Sequence, residues 1–186
     1  MSGVMRYNRI IAMDVDDVVL DLIPSWIDSY NRKFNDSLNP ENITDWDVSQ
    51  FVVPEAKQAI YEYVDKPLVF RKSKPVEGAL EAVEWMRSQN SRIIYVTASN
   101  PKNVKFEWLI KNGFLENEED FVVAYDKSLI LADYLIDDKF ENVTGFRGTG
   151  ILFNRPWNMK YKYHTRIQNW NQFLKIMRKT RGGNLE

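Results

Sequence analysis

The stretch RIIAMDVDDVVLDL, residues 9 to 22, decides the fold. Its first half, RIIAMDV, is short, apolar and partly β-branched, with acids at the carboxyl end. That pattern reads as a buried strand. Asp14, Asp16 and Asp17 crowd that end, and Val18, Val19 and Leu20 follow at once. Like charges so close repel, and desolvating carboxylates at the end of a buried strand costs more still. The arrangement calls for a positive partner or for open water.

Outward from this stretch, further apolar runs end in polar groups. RIIYVTASN reads as a second buried strand ending in hydroxyls, and DFVVAYDK as a third ending in Asp126 and Lys127. ADYLIDD is a fourth, ending in Asp137 and Asp138, and GILFNRPWN a fifth. Helical spacing alternates with them. It is carried by Leu22, Trp26, Ile27, Tyr30 and Phe34, then by Val76, Leu80, Val83 and Met86 behind Pro75. NPKNVKFEWLIKNGF gives another helix, with Ser99 or Asn100 as its cap and Gly113 at its end, and Ile167–Arg178 the last. Strands alternating with helices predict an α/β fold with a parallel sheet.

One region breaks the alternation. Residues 19–74 show a helix and turn-rich, aromatic segments but no clear strand. We expect a small helical cap there, inserted after the first strand, with residues 1–18 and 75–186 forming the core. Within it a short helix is expected over Pro54–Val64, and DKPLVFRKSKP reads as irregular and basic. The terminal RGGNLE reads as a frayed end.

Bulk properties narrow the function. The 186 residues fit one compact domain with a small insertion. Lys and Arg number 25 against 26 Asp and Glu, a net charge of -1, so stable binding to a long nucleic acid is not expected. There is no cysteine, which removes disulfides and thiolate metal sites and fits a reducing cytoplasm. No stretch reads as a secretory signal or a membrane span.

Ligands of open α/β sheets bind outside the carboxyl ends of the strands. Those ends carry Asp14, Asp16 and Asp17, then Thr97, Ala98 and Ser99, then Lys127, then Asp137 and Asp138. Hard oxygen donors without histidine or cysteine suit Mg²⁺, which commonly shares its shell with a substrate phosphate. Lys127, a hydroxyl and backbone N–H groups would supply the phosphate's donors.

The order of these motifs resembles the haloacid-dehalogenase-like (HAD) phosphohydrolases, with DVDDVV, VTAS, YDK and LIDD as the four parts. MDVDDVVLDL, ITDWD, DKSLILADYLIDD and ILFNRPWN look most like the 5'(3')-deoxyribonucleotidases of bacteria and phages. The resemblance implies a Rossmann-like parallel sheet flanked by helices and a Mg²⁺-dependent phosphatase of (deoxy)nucleoside 5'-monophosphates. It implies Asp14 as nucleophile, forming an aspartyl-phosphate, and Asp16 as general acid, then base. Thr97, Ala98 and Lys127 would hold the phosphoryl group. Asp14, Asp137 and the Asp16 backbone carbonyl would bind Mg²⁺, and Asp138 would act behind them or through water. The family's glycine after the second aspartate is Asp17 here, which would either point to solvent or join the metal. Leu22, Trp46 and Phe51 are candidates for the base pocket, and Arg155 and Trp157 fall near the same edge. A nucleotide is the expected partner, and a homodimer is compatible with the sequence.

Plainer readings stand beside these. Asp17 alone is more often a solvated loop acid, and Asp138 could cap a helix beginning at Lys139. Trp26, Tyr30 and Phe34 suit helix packing, and His164 has no partner pattern. Alternative functions are the same chemistry on a sugar phosphate or on nucleic acid ends, or a nucleotide-binding protein without catalysis.

Overall fold

A computed structural model describes residues 7–64 and 66–179. The expectations for the first residues and for RGGNLE lie outside the described residues. In chain order, strand β1 (Arg9–Asp14) leads to β2 (Leu20–Asp21) and helix α1 (Leu22–Phe34). Short 3₁₀ turns then give way to α2 (Tyr61–Val64), α3 (Pro67–Lys72) and β3 (Lys74–Pro75). The chain continues through α4 (Ala79–Ser88), β4 (Ser91–Thr97), α5 (Lys102–Lys111) and β5 (Phe121–Val123). It finishes with β6 (Tyr134–Asp137), α6 (Phe140–Gly145), β7 (Thr149–Phe153), β8 (Arg166–Ile167) and α7 (Trp170–Lys179).

The main sheet has six strands in the order β5-β4-β1-β6-β7-β8, and every pairing is parallel. β1 is central, with Asp14 opposite Val96 of β4 and Met13 opposite Ile136 of β6. A central parallel strand is covered on both faces, which explains its unbroken apolar run. Ala12 and Met13 have no exposed surface. The α/β class with a parallel sheet flanked by helices is therefore as expected.

Residues between the two short strands cover one end of this sheet. β2 and β3 pair antiparallel, Leu20 with Pro75 and Asp21 with Lys74, and Val76 N–H donates to Val19 O. The sequence showed no strand here, because two residues carry no period. α1 buries Trp26, Ile27 and Tyr30 and stops at Asn35, whose φ of +50° breaks the helix. One hydrophobic cluster runs without a break from Met13 and Tyr95 of the sheet to Ile43, Ile60 and Phe70 of the covering segment.

Four local expectations need correction. DKPLVFRKSKP is not irregular: Pro67 starts α3, because its fixed φ suits a first turn, and burial of Val69 and Phe70 holds the helix. Pro75 does not open α4; it sits in β3, and the helix begins after Gly78, where φ is +75° and a Cβ would lie 2.9 Å from Asn171 Oδ1. Pro54–Val64 is not one helix but a turn, then a 3₁₀ segment at Lys57–Ile60 and one α turn at Tyr61–Val64. β8 is an additional strand, two residues long, beside β7.

Candidate active site

The carboxyl ends of β1, β4 and β6 open on a cavity of about 270 Å³. Its floor is polar: Asp14, Asp16, Lys127, Asp137 and Asp138. Its wall is apolar and comes from the covering segment, with Leu22, Ile23, Trp26, Ile43, Val48, Tyr61 and Val64. Trp46 stands at this wall 52% exposed, edge-on to Trp157, with Lys139 Nζ 5.5 Å above its ring.

Asp14 is the last residue of β1, so the sheet itself fixes its position. Lys127 Nζ donates to Asp14 Oδ1 at 2.5 Å and to Asp137 Oδ2 at 2.7 Å. Lys127 follows the end of β5, on a 3₁₀ turn capped by the Asp126 carboxylate. Asp137 ends β6; Asn142 Nδ2 donates to its Oδ2 and the Lys139 N–H to its Oδ1. Asp138 does not cap the next helix: its Oδ2 accepts from Trp157 Nε1 at 2.8 Å.

One lysine thus faces three buried acids. Burial pushes the Asp14 carboxyl up to about 7 against the pull of Lys127, and it lifts Asp138 well above the usual carboxylate range. Burial also works against the Lys127 charge, yet Asp14 and Asp137 hold its pKa above the ordinary lysine value. Carboxylate oxygens of Asp14, Asp137 and Asp138 lie within 4.8 Å of one another. This all-oxygen set with surplus negative charge fits a hard divalent cation such as Mg²⁺.

Asp17 neither turns to solvent nor joins the acids around Lys127. It is 6% exposed, with φ at +55°, and its Oδ1 accepts from Leu22 N–H at 2.9 Å and Ile23 N–H at 3.1 Å. The carboxylate therefore caps the first turn of α1, where backbone N–H groups lack helical partners. Burial pushes its carboxyl up to about 7 while the nearby Arg155 charge lowers it, and Arg155 Nε donates to Asp17 O at 2.6 Å.

Not every candidate reaches the cavity. Ala98, Leu22 and Trp46 line it; Thr97 and Phe51 do not. Thr97 is fully buried, and its Oγ1 accepts from Lys105 Nζ at 3.0 Å. Phe51 packs against the hydrophobic cluster instead. Trp26, read as a packing residue, both packs and lines the cavity, with Nε1 donating to Ile60 O. Ser99 does not cap α5, whose start has no side-chain cap. Its hydroxyl donates to Asp16 Oδ2 at 2.8 Å. His164 is exposed and away from this edge.

Lys105 is the residue that sequence reasoning passed over. Its Nζ lies 2.5 Å from Asp16 Oδ2, and its side chain has no exposed surface. The signal was there: Lys105 is three and four residues before the buried Trp108 and Leu109, on the apolar face of α5.

Comparison with known proteins adds family evidence. The family described as 5' nucleotidase, deoxy (pyrimidine), cytosolic type C protein (NT5C) matches residues 8–181. A 5'(3')-deoxyribonucleotidase of Bacillus subtilis is 28% identical over 168 residues, 89% of this chain and 96% of the relative. A 5'(3')-deoxyribonucleotidase of Clostridium acetobutylicum is 28% identical over 161 residues, covering 86% of this chain and 89% of the relative. Among solved structures, the HAD-hydrolase YfnB of B. subtilis, bound to magnesium, superposes with a TM-score of 0.59 at 13% identity. That match covers 93% of this chain and 99% of the other. A haloacid dehalogenase-like hydrolase from Xanthomonas campestris gives 0.55 at 11% identity, over 95% and 94%. At such identities the structures show a shared fold and nothing finer.

Proposed function

The chain belongs to the 5' nucleotidase, deoxy (pyrimidine), cytosolic type C family, and from that premise we propose that it is a phosphatase of deoxyribonucleoside monophosphates. The observation that carries the reading is a single cavity with Asp14 and Lys127 on its floor and an aromatic, apolar wall opposite. The floor suits a phosphate ester and the wall a base and deoxyribose. The names of the B. subtilis and C. acetobutylicum relatives support the same substrate class.

Asp14 is the nucleophile. One of its oxygens forms a bond to phosphorus as the ester oxygen leaves, giving an aspartyl-phosphate. Asp16 gives a proton to that leaving oxygen. In the second step Asp16 takes a proton from water, the water oxygen bonds phosphorus, and Asp14 is released with inorganic phosphate. Lys127 favours the ionised Asp14 carboxylate against the effect of burial and pairs with the phosphoryl charge. Asp14, Asp137 and Asp138 would hold Mg²⁺, which when bound neutralises phosphoryl charge. The apolar side chains of Leu22, Ile23, Ile43 and Val48 on the wall favour the deoxy sugar, because a hydroxyl desolvated against them costs binding energy. Trp46 lines the cavity and Phe51 does not, which supports Trp46 as the base platform.

Phosphate release from ribo- and deoxynucleoside monophosphates, with a sugar phosphate as control, tests this. Release that favours the deoxy forms and stops with EDTA is expected, and Asp14→Asn abolishes it. Release from the sugar phosphate alone would keep the chemistry and remove the nucleotide assignment.

A further inference from the structure

Lys105 takes no part in the chemistry above, yet its surroundings tie it to one reacting group. It reaches from the middle of α5 under the end of β4 with no exposed surface. Its three N–H groups face four acceptors: Asp16 Oδ2 at 2.5 Å, Ser99 Oγ at 2.5 Å, Thr97 Oγ1 at 3.0 Å and Ser99 O at 3.2 Å. The Phe70 ring closes another side, 5.2 Å from Nζ. Asp16 supplies the one carboxyl group among these neighbours, so the ammonium is tied to it in either protonation state, with neutral oxygens as its other acceptors.

The two oxygens of Asp16 are treated differently. Oδ2 receives Lys105 and the Ser99 hydroxyl, both within 2.8 Å. Oδ1 is buried and has no hydrogen-bond partner. Asp16 lines the cavity, whereas Thr97 and Lys105 do not. Without the two donors, rotation about the bond to the carboxyl group would exchange the oxygens.

We propose that Lys105, with Ser99, is a positioning residue that holds the Asp16 carboxyl by Oδ2 and so fixes its orientation at the cavity. The assignment rests on Asp16 being the acid and base of the proposed phosphatase. In the first step the Asp16 proton passes to the ester oxygen as its bond to phosphorus breaks and the bond from Asp14 forms. In the second, the Asp16 carboxylate takes a proton from the water whose oxygen displaces Asp14 from phosphorus. Lys105 transfers no proton in either step. Misplacing a reacting group by about 1 Å costs on the order of 10²-fold in rate, and this is the effect at stake.

The leaving group separates positioning from structure. A deoxynucleoside 5'-monophosphate expels an alkoxide, which needs a proton; 2,4-dinitrophenyl phosphate expels a phenolate, which does not. In rapid-mixing experiments with Mg²⁺, Lys105→Met is expected to slow nucleoside release in the first turnover by about 10²-fold, within the range for one general acid. KM should stay the same. With dinitrophenyl phosphate the same variant should show a first-turnover burst near the wild-type rate, then slow turnover, because the second step still needs Asp16 as base. Ser99→Ala, which leaves the buried lysine in place, should show the same pattern at about tenfold, a loss of roughly one hydrogen bond. An equal loss on both substrates in both variants, or no loss in either, overturns the proposal. Asp16→Asn is the control for the underlying reading. If it slows both bursts equally, Asp16 is not the acid and the proposal falls with it. If it spares the dinitrophenyl burst while Lys105→Met and Ser99→Ala do not, the proposal alone falls.

Discussion

Lys127 and Lys105 are both buried ammonium groups on the same strand edge, and they keep different company. Lys127 lies between two carboxylates that are 13% and 0% exposed, with Asp138 close behind. Lys105 has one carboxylate, 20% exposed, and otherwise neutral oxygen acceptors. On the Lys127 side the acids outnumber the cation; on the Lys105 side the charges match. The difference separates a place that can accept a divalent cation from one that has no electrostatic use for it.

The largest effect that can break this contrast is loss of the ammonium itself. Lys127→Met leaves Asp14 and Asp137 without their cation, and breaking a buried pair costs about 3–5 kcal/mol. Lys105→Met leaves a carboxylate that water can reach, so a smaller cost of about 1–3 kcal/mol is expected. Urea unfolding at neutral pH in EDTA measures both. Equal losses would erase the distinction. Excess Mg²⁺ should recover stability for Lys127→Met and not for Lys105→Met, since only the first exposes the cation's ligands to mutual repulsion.

Proton linkage sharpens the contrast. Asp14 and Asp17 both rise to about 7 on burial, above the unfolded value of about 4. Between those values the folded protein holds more protons than the unfolded one. Stability in EDTA should therefore fall as pH rises from about 4 to about 7 and level off above that. Mg²⁺ should flatten the Asp14 share by favouring its carboxylate. A metal-free stability that climbs with pH across this window would contradict the excess of buried acid.

The smallest effect lies at Asp17, which neither lysine contacts. Asp17→Ala loses the cap on α1 and keeps a side chain at φ +55°, so a loss of about 1 kcal/mol is expected. Asp17→Gly loses the same cap and relieves the left-handed backbone, worth roughly 1 kcal/mol, and should be close to neutral. Thermal unfolding of the two variants ranks them: a glycine variant less stable than the alanine one would refute the backbone strain at φ +55°, and an alanine variant as stable as the wild type would refute the capping role.

The strand edge was legible because its signals are independent of the rest of the chain. A buried parallel strand shows as an apolar run, and acids stand out at its end, as at Met13-Asp14 and Ile136-Asp137. α3 and the β2–β3 pair were not legible, since six- and two-residue elements depend on what they pack against rather than on their own period. Asp47 shows how that region is held. Its carboxylate accepts from Ser49, Gln50 and Tyr61, and these bonds draw it down to about 2. Asp17 was misread because sequence position shows the missing glycine but not the free N–H groups of α1 that its carboxylate meets. Lys105 required seeing a charge on an apolar helix face as a message rather than as noise.

Trp46 gives the molecule a built-in optical gauge. Of its six tryptophans, Trp26, Trp108, Trp157 and Trp170 are buried and Trp85 is half-buried, leaving Trp46 as the exposed ring among the three that line the cavity. Its emission is the part of the spectrum that water shifts to the red and that a dissolved quencher reaches first. A base settling against that ring would move it toward the blue and shield it from collision, so occupancy of the cavity can be followed by light, with no label and no turnover.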